Sequence, residues 1–320
     1  MDVHLTDRLL ERMLMAPPAP FTPTTARQIG LTPRDLRRLV GAGLLRRPVR
    51  GVYVPAHLPD SLALRLAVLS VVVPEDCVVT DRTAAWLWGA DMALPPGSHL
   101  TVPPVSVFAP RNRRLRNGVV ASGQRDLIDR DVAELDGVLV TSVIRTACDV
   151  GRLLPRYQAI GVMDALARVG GLDALSVSEE MRRFRGYRGV IQGRELASYL
   201  DAGADSPPES EARIRWIDLG LPKPRTQVPV PNPTGGWFYI DIGLEERRLG
   251  VEYFGEAFHG PQQQASDDSR IAWLTKVETW QIVVVRRRNL YGRGQDYETL
   301  LQRANQRALR ELLEHRSVST

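Results

Sequence analysis

Residues 236–254, GWFYIDIGLEERRLGVEYF, hold two runs of mostly apolar, alternating side chains on either side of a short charged break. A period of two reads as strand, which predicts strands over 236–244 and 248–254. A two-residue turn at Glu246-Arg247 and a four-residue loop over Glu245–Arg248 give the same pairing. Asp241 then faces Glu252, Ile242 faces Val251 and Ile240 faces Tyr253. One side of the hairpin is apolar, and the other presents two carboxylates. Opposed Cβ atoms lie about 4.5–5.5 Å apart. Carboxylates so placed repel unless a cation lies between them or one keeps its proton.

The residues after this hairpin predict a helix over 265–279, a strand over 280–286 and a helix over 296–314; a helix over 207–219 precedes it. A hairpin followed by a helix–strand crossover implies a mixed sheet flanked by helices. This expected C-terminal domain spans 205–320. The small and turn-forming residues of Asp201–Pro208 read as a linker before it. A middle domain, 61–204, reads as mixed α+β. Its helices are expected near 61–72, 81–89, 142–154, 157–168 and 191–201, and its strands near 99–108, 118–122 and 138–141. The expected fold class is thus α+β and multidomain.

The chain of 320 residues is 43% hydrophobic and 25% charged, a globular balance that excludes wholesale disorder. Cys77 and Cys148 are its only cysteines, too few for a disulfide framework or a Cys-rich zinc site. The run from Leu62 to Val73 contains Arg65 and is too short to span a bilayer, which takes about 20 apolar residues. The N-terminus lacks a signal peptide's apolar core. These features predict a cytoplasmic protein without a membrane partner. Lysine occurs only at Lys223 and Lys276.

The net charge is +5, and residues 26–50 alone carry seven arginines against one acid, Asp35. Residues 1–60 read as three short helices and a small wing. Leu5, Leu9, Leu10 and Met13 recur at helical spacing; a second helix ends at Gly30; Thr32-Pro33-Arg34-Asp35 is a cap, an N1 proline and an N3 acid. Leu36, Leu39 and Val40 form the expected buried stripe of the third helix, with Arg34, Arg37 and Arg38 on its other side. Arg46, Arg47 and Arg50 belong to the wing, 46–54. Such a unit binds duplex DNA by laying its second motif helix in the major groove; a protein-interaction module with solvated arginines is the alternative. The stretch LTPRDLRRLVGAGLLRR with the wing RRPVRGVYVP resembles the winged-helix domain of AbiEi-type antitoxins. The resemblance implies double-stranded DNA as partner, and a toxin encoded nearby.

The C-terminal motifs resemble the restriction-endonuclease-like (PD-(D/E)xK) superfamily, and within it the small domains related to the very short patch repair endonuclease. They read Ser206-Pro207-Pro208-Glu209-Ser210, Asp241-Ile242, Val251-Glu252-Tyr253-Phe254-Gly255, His259 and Asp267-Asp268-Ser269-Arg270. The resemblance implies an α/β core with a mixed sheet, Mg²⁺ (or Mn²⁺) on Asp241 and Glu252, and Glu209 and His259 as further catalytic groups. Each has a plainer alternative: Glu209 completes a capping box with Ser206, and His259 is structural. Arg270 would face DNA or line the site. Phe254 departs from the pattern, because relatives place a polar group there and an apolar ring polarises no water. Lys276 would substitute only if its helix packs beside the site.

In the middle domain, Thr141–Asp149 resembles the TSxxRTxxD segment of the same multidomain bacterial proteins, with Arg145 and Asp149 spaced for an i, i+4 ion pair. Arg111, Arg113, Arg114 and Arg116 form a basic loop that either adds phosphate contacts or is solvated. Two functions follow: a metal-dependent DNA endonuclease with a winged-helix reader, or a non-catalytic antitoxin or autorepressor with a degenerate nuclease domain. The oligomeric state is not legible in the sequence.

Overall fold

A computed structural model describes residues 7–90, 105–108, 120–122, 125–255 and 261–318. His259 and the basic loop 111–116 lie outside these residues, as do 99–104 and 118–119 of the expected strands. The chain forms two compact units, Met1–Val150 and Gly151–Thr320. Mixed α+β structure is present in both.

The first unit opens with helices α1 (Asp7–Leu14), α2 (Pro23–Gln28) and α3 (Pro33–Gly41) and the two-stranded wing β1 (Leu45–Arg46) and β2 (Val54–Pro55). Leu9, Phe21, Ala26, Leu31, Leu36, Leu39 and Leu45 close one core between them. Val40 is 37% exposed and leaves the expected stripe. It is four positions from Leu36 and so on the same side of the helix, but it sits at the last turn of α3, where the core no longer covers it.

The unit continues with α4 (Leu62–Ser70), β3 (Val78–Val79), α5 (Asp81–Leu87), β4 (Val105–Phe108), β5 (Val120–Ser122), β6 (Val132–Leu135), β7 (Val138–Thr141) and α6 (Val143–Leu153), whose last residues belong to the second unit. The strands form one sheet in the order β5-β4-β3-β7-β6. Beside it, Arg145 donates to Asp149 (2.9 Å) and Asp131 (2.6 Å), and Arg125 joins Asp149 (2.8 Å) to Asp81 (2.6 Å). The expected Arg145–Asp149 pair is therefore part of a larger buried network.

The second unit holds α7 (Arg156–Gly170), α8 (Ala174–Met181), α9 (Val190–Ser198), α10 (Pro207–Asp218), β8 (Arg225–Pro231), β9 (Trp237–Leu244), β10 (Leu249–Phe254), α11 (Pro261–Lys276), β11 (Gln281–Arg286), α12 (Arg287–Leu290) and α13 (Tyr297–Val318). Its sheet runs β11-β10-β9-β8, antiparallel except for the parallel β10–β11 pair. The connection through α11 makes that parallel pair possible. The expected linker is pinned. Asp164 of α7 accepts from the Asp201 amide (2.9 Å) and from Arg213 of α10 (2.8 Å), with both side chains fully buried.

Strand β8 was not expected, because Pro222, Pro224, Pro229 and Pro231 make its sequence read as loop. It lies at the sheet's edge with Pro229 and Pro231 exposed, the place where a missing N–H costs no ladder bond.

Removing Arg145 would take a buried cation from Asp131 and leave Asp149 to Arg125, and breaking a buried pair costs about 3–5 kcal/mol. Arg145→Ala should lower stability by that order in a denaturant titration, and a loss below about 1 kcal/mol would assign the network no more than a surface pair's worth.

Candidate functional site

The first candidate surface is the α2–α3 motif with its wing. Thr22 caps α2 by accepting from the Thr25 amide (3.3 Å). Thr32 caps α3: its hydroxyl oxygen accepts from the Asp35 amide (3.2 Å), while the Asp35 carboxylate accepts from the Thr32 amide (3.0 Å) and hydroxyl (2.6 Å). These bonds hold the Asp35 carboxyl below its ordinary pKa, the Thr32 hydroxyl first. The segment's single acid is thus engaged at the helix start. Phe21 and Tyr53 exchange backbone hydrogen bonds (2.9 and 2.8 Å), which ties the wing to the entry of α2.

Arg34, Arg37, Arg47 and Arg50 are exposed. Arg47 also lies 5.9 Å from the Tyr53 ring centre. Arg38 and Arg46 are half-buried, and Arg46 donates to the Leu58 carbonyl, which assigns it to the wing's own structure. The α3 face and the wing therefore present an arginine-rich surface built on short, capped elements.

The second candidate site is an acidic cluster in the other unit. The hairpin has the expected register: Leu244 faces Leu249, Gly243 faces Gly250 and Ile242 faces Val251. A 3₁₀ turn over Glu245–Arg247, followed by Arg248 at φ 48°, makes the four-residue connection. Beyond Ile242 the hairpin departs from expectation. The β9–β10 ladder stops there, and the β8–β9 ladder skips Asp241, opposite which Gln227 takes φ 49°. The Asp241 carboxylate instead accepts from the Tyr253 amide (2.7 Å). Alternation flips at this break. Ile242, Leu244, Leu249 and Val251 pack with Ala212 and Trp216 of α10 and with Tyr297 and Leu301 of α13; Ile240 packs on the opposite face with Val228, Leu274 and Trp280. A strict period of two cannot foresee this, because a side chain satisfies the amide that the ladder would have used.

Glu252 is 1% exposed and lies on the face that α11 covers. Arg270 of α11 grips it with both prongs of its guanidinium, at 3.1 and 2.9 Å, and donates to the Tyr239 carbonyl at 3.1 Å. Ser206 caps α10, accepting from the Glu209 amide (3.4 Å), but the expected capping box is varied: the Glu209 carboxylate accepts from the Ser206 hydroxyl (2.7 Å) and from the amide of the preceding Asp205 (3.0 Å). Its carboxyl is pushed up by burial. Burial also pushes Asp241 up, to about 8, with the charges of Glu252 and then Glu209 adding and the Tyr253 amide and Arg270 opposing. The fold thus brings Glu209, Asp241, Glu252 and Arg270 into one electrostatic neighbourhood. Phe254 pairs with Arg286 on β11, whose guanidinium lies 5.9 Å from its ring centre. Lys276, in the last turn of α11, is exposed. Among the described residues, no group of three or more His, Cys, Asp or Glu side chains is placed to hold a metal ion.

The reading of residue spacing missed the Arg270–Glu252 pair, although the D-x-x-R motif marked Arg270. Only the packing of α11 on the sheet makes the two neighbours. It also missed Arg213–Asp164, which has no local signal because it joins two separate helices.

An aspartic acid with a folded pKa near 8 keeps its proton from about pH 4, where an unfolded aspartate releases it, up to about pH 8. Across that interval the folded chain binds more protons than the unfolded one, so this group makes stability fall as pH rises. In chelator-containing buffer, the wild-type unfolding temperature should drop more between about pH 5 and pH 8 than that of Asp241→Asn, which has nothing to titrate. Parallel curves would show Asp241 ionised throughout.

Comparison with known proteins adds a family to this geometry. Residues 20–56, from the entry of α2 to the end of the wing, match the model of the family described as "Transcriptional regulator, AbiEi antitoxin". Two relatives, each titled an uncharacterized protein and each from a strain of Mycobacterium tuberculosis, are 33% identical over 256 residues, covering 80% of this chain and 90% of theirs. No helix among the described residues is long and apolar enough to cross a membrane. The chain belongs to the family of these mycobacterial proteins, and its residues 20–56 form an AbiEi antitoxin N-terminal domain.

Proposed function

We propose that this protein is a DNA-binding transcriptional regulator of the AbiEi antitoxin type, whose second unit is a nuclease-like scaffold without working chemistry. The observation that carries the reading is the exposed set Arg34, Arg37, Arg47 and Arg50 on α3 and the wing, beside an Asp35 engaged in the helix cap. An arginine on α3 is suited to phosphate contacts or to base edges in the major groove. The family match over 20–56 supports double-stranded DNA as partner, and a toxin encoded nearby belongs to the same reading.

Binding should be read as a function of salt. Each lost phosphate contact lowers the slope of log affinity against log salt by about 0.9. Arg34→Ala with Arg37→Ala should therefore lower it by up to about 1.8 on a duplex from the protein's own promoter, followed by fluorescence anisotropy. An unchanged slope and affinity would move the DNA surface away from α3.

An active Mg²⁺-dependent nuclease is the second reading. The order α10, β8, β9, β10, α11, β11 and the gathering of Glu209, Asp241 and Glu252 favour it. Against it stand Phe254 in the place of a polar group and the engagement of Glu209 in its cap. With Mg²⁺ or Mn²⁺, supercoiled plasmid should stay uncut by the wild type and by Phe254→Lys. Robust cutting that Asp241→Asn abolishes would establish the nuclease instead.

A further inference from the structure

The superfamily that the second unit resembles implies a divalent metal on Asp241 and Glu252, and the donors present do not fit one. Mg²⁺ takes near-octahedral oxygen ligands at about 2.0–2.1 Å and needs its carboxylates ionised and open. Both oxygens of Glu252 are held by the fork of Arg270, at 3.1 and 2.9 Å. Both oxygens of Glu209 are held at the start of α10. One oxygen of Asp241 accepts from the Tyr253 amide. Phe254, on the same strand as Glu252, supplies no donor. A dication seated on Glu252 would also meet a guanidinium that keeps its charge at every working pH.

Arg270 is not free to yield. Its Nη1 donates to the Tyr239 carbonyl as well as to Glu252. One turn later on the same helix, Leu274 is fully buried in the cluster of Val228, Val230, Ile240 and Trp280, which fastens α11 to the sheet. A planar, two-pronged donor fixed at its base in this way is a preorganised partner for a carboxylate.

We propose that Arg270 is the resident cation of this carboxylate cluster: its guanidinium takes the electrostatic place of a divalent metal and makes the second unit a metal-independent module. The inference deepens the non-catalytic reading of that unit and rests on it. It does not concern the winged helix, whose DNA affinity is measured separately.

The test is Mn²⁺ binding by the full-length chain, read by calorimetry, by loss of the free-ion electron paramagnetic resonance signal, and by the shift in unfolding temperature. The wild type should give no saturable binding and no shift. Arg270→Gln, which keeps one donor for Glu252 but no charge, should gain both, as should Arg270→Met. Adding Asp241→Asn to either variant should remove the gain. Saturable Mn²⁺ binding by the wild type overturns the proposal, and so does a folded Arg270→Gln or Arg270→Met whose titration stays flat. Should neither variant fold, the wild-type titration decides alone: flat sustains the proposal, saturable refutes it. Each of these results leaves the salt dependence of DNA binding unaffected, so the loss of one reading is distinguishable from the loss of the other.

Discussion

Two carboxylates held side by side out of water set the terms for the second unit. Asp241 lies where the charge of Glu252 acts on it, one residue beyond the last paired position of the hairpin, and the two charges cannot both stand there uncompensated. The fold answers with a guanidinium on Glu252 and a raised pKa on Asp241. The first answer requires α11 to cross this face of the sheet, and Leu274 beside Trp280 holds it there. The second is coupled to the break in both ladders at Asp241, where a carboxylate oxygen takes the Tyr253 amide. The same break sends Ile240 and Ile242 to opposite faces, so both sides of the sheet acquire a core.

Arginine recurs in the buried ion pairs of both units. Of 42 basic residues only Lys223 and Lys276 are lysine. Arg145 bridges Asp131 and Asp149; Arg213 joins Asp164 to the Tyr199 carbonyl; Arg215 holds Glu211 and Glu298. A planar fork meets two acceptors at once and loses less freedom per bond than an ammonium on a flexible stem. Such pairs contribute little net stability compared with apolar packing, yet each is costly to break, so they tie helices into one arrangement.

The winged helix uses the same residue type in the opposite way. Its core is a set of leucines with Phe21 and Ala26, and Arg34, Arg37, Arg47 and Arg50 are exposed to solvent. Asp35, the one carboxylate in the segment, is turned to Thr32. Outward arginines leave a field for an anionic polymer, whereas inward ones are consumed in the fold. The contrast is one of use: the arginines of α3 and the wing stay open to solvent, and those of the second unit close on carboxylates within it.

Much of this was legible locally. The caps at Thr32 and Ser206, the charge of residues 26–50 and the pairing of Ile242 with Val251 depend on neighbours a few positions apart or on one short turn, and sequence spacing specifies these directly. The position of His259 and of the loop 111–116 is outside the described residues, so their expected roles stand as sequence readings. Tertiary structure alone decided the rest. Prolines in β8 read as loop until the strand is known to be an edge. Ile240 reads as a neighbour of Ile242 until the ladders lapse between them. Arg270 is marked by its motif, but its partner Glu252, eighteen positions away, is named only by the packing of α11 on the sheet. Spacing constrains only what one turn or one strand can reach; which charge meets which across a sheet and a helix is settled by the burial of apolar faces, which carries no record in the charged residues themselves.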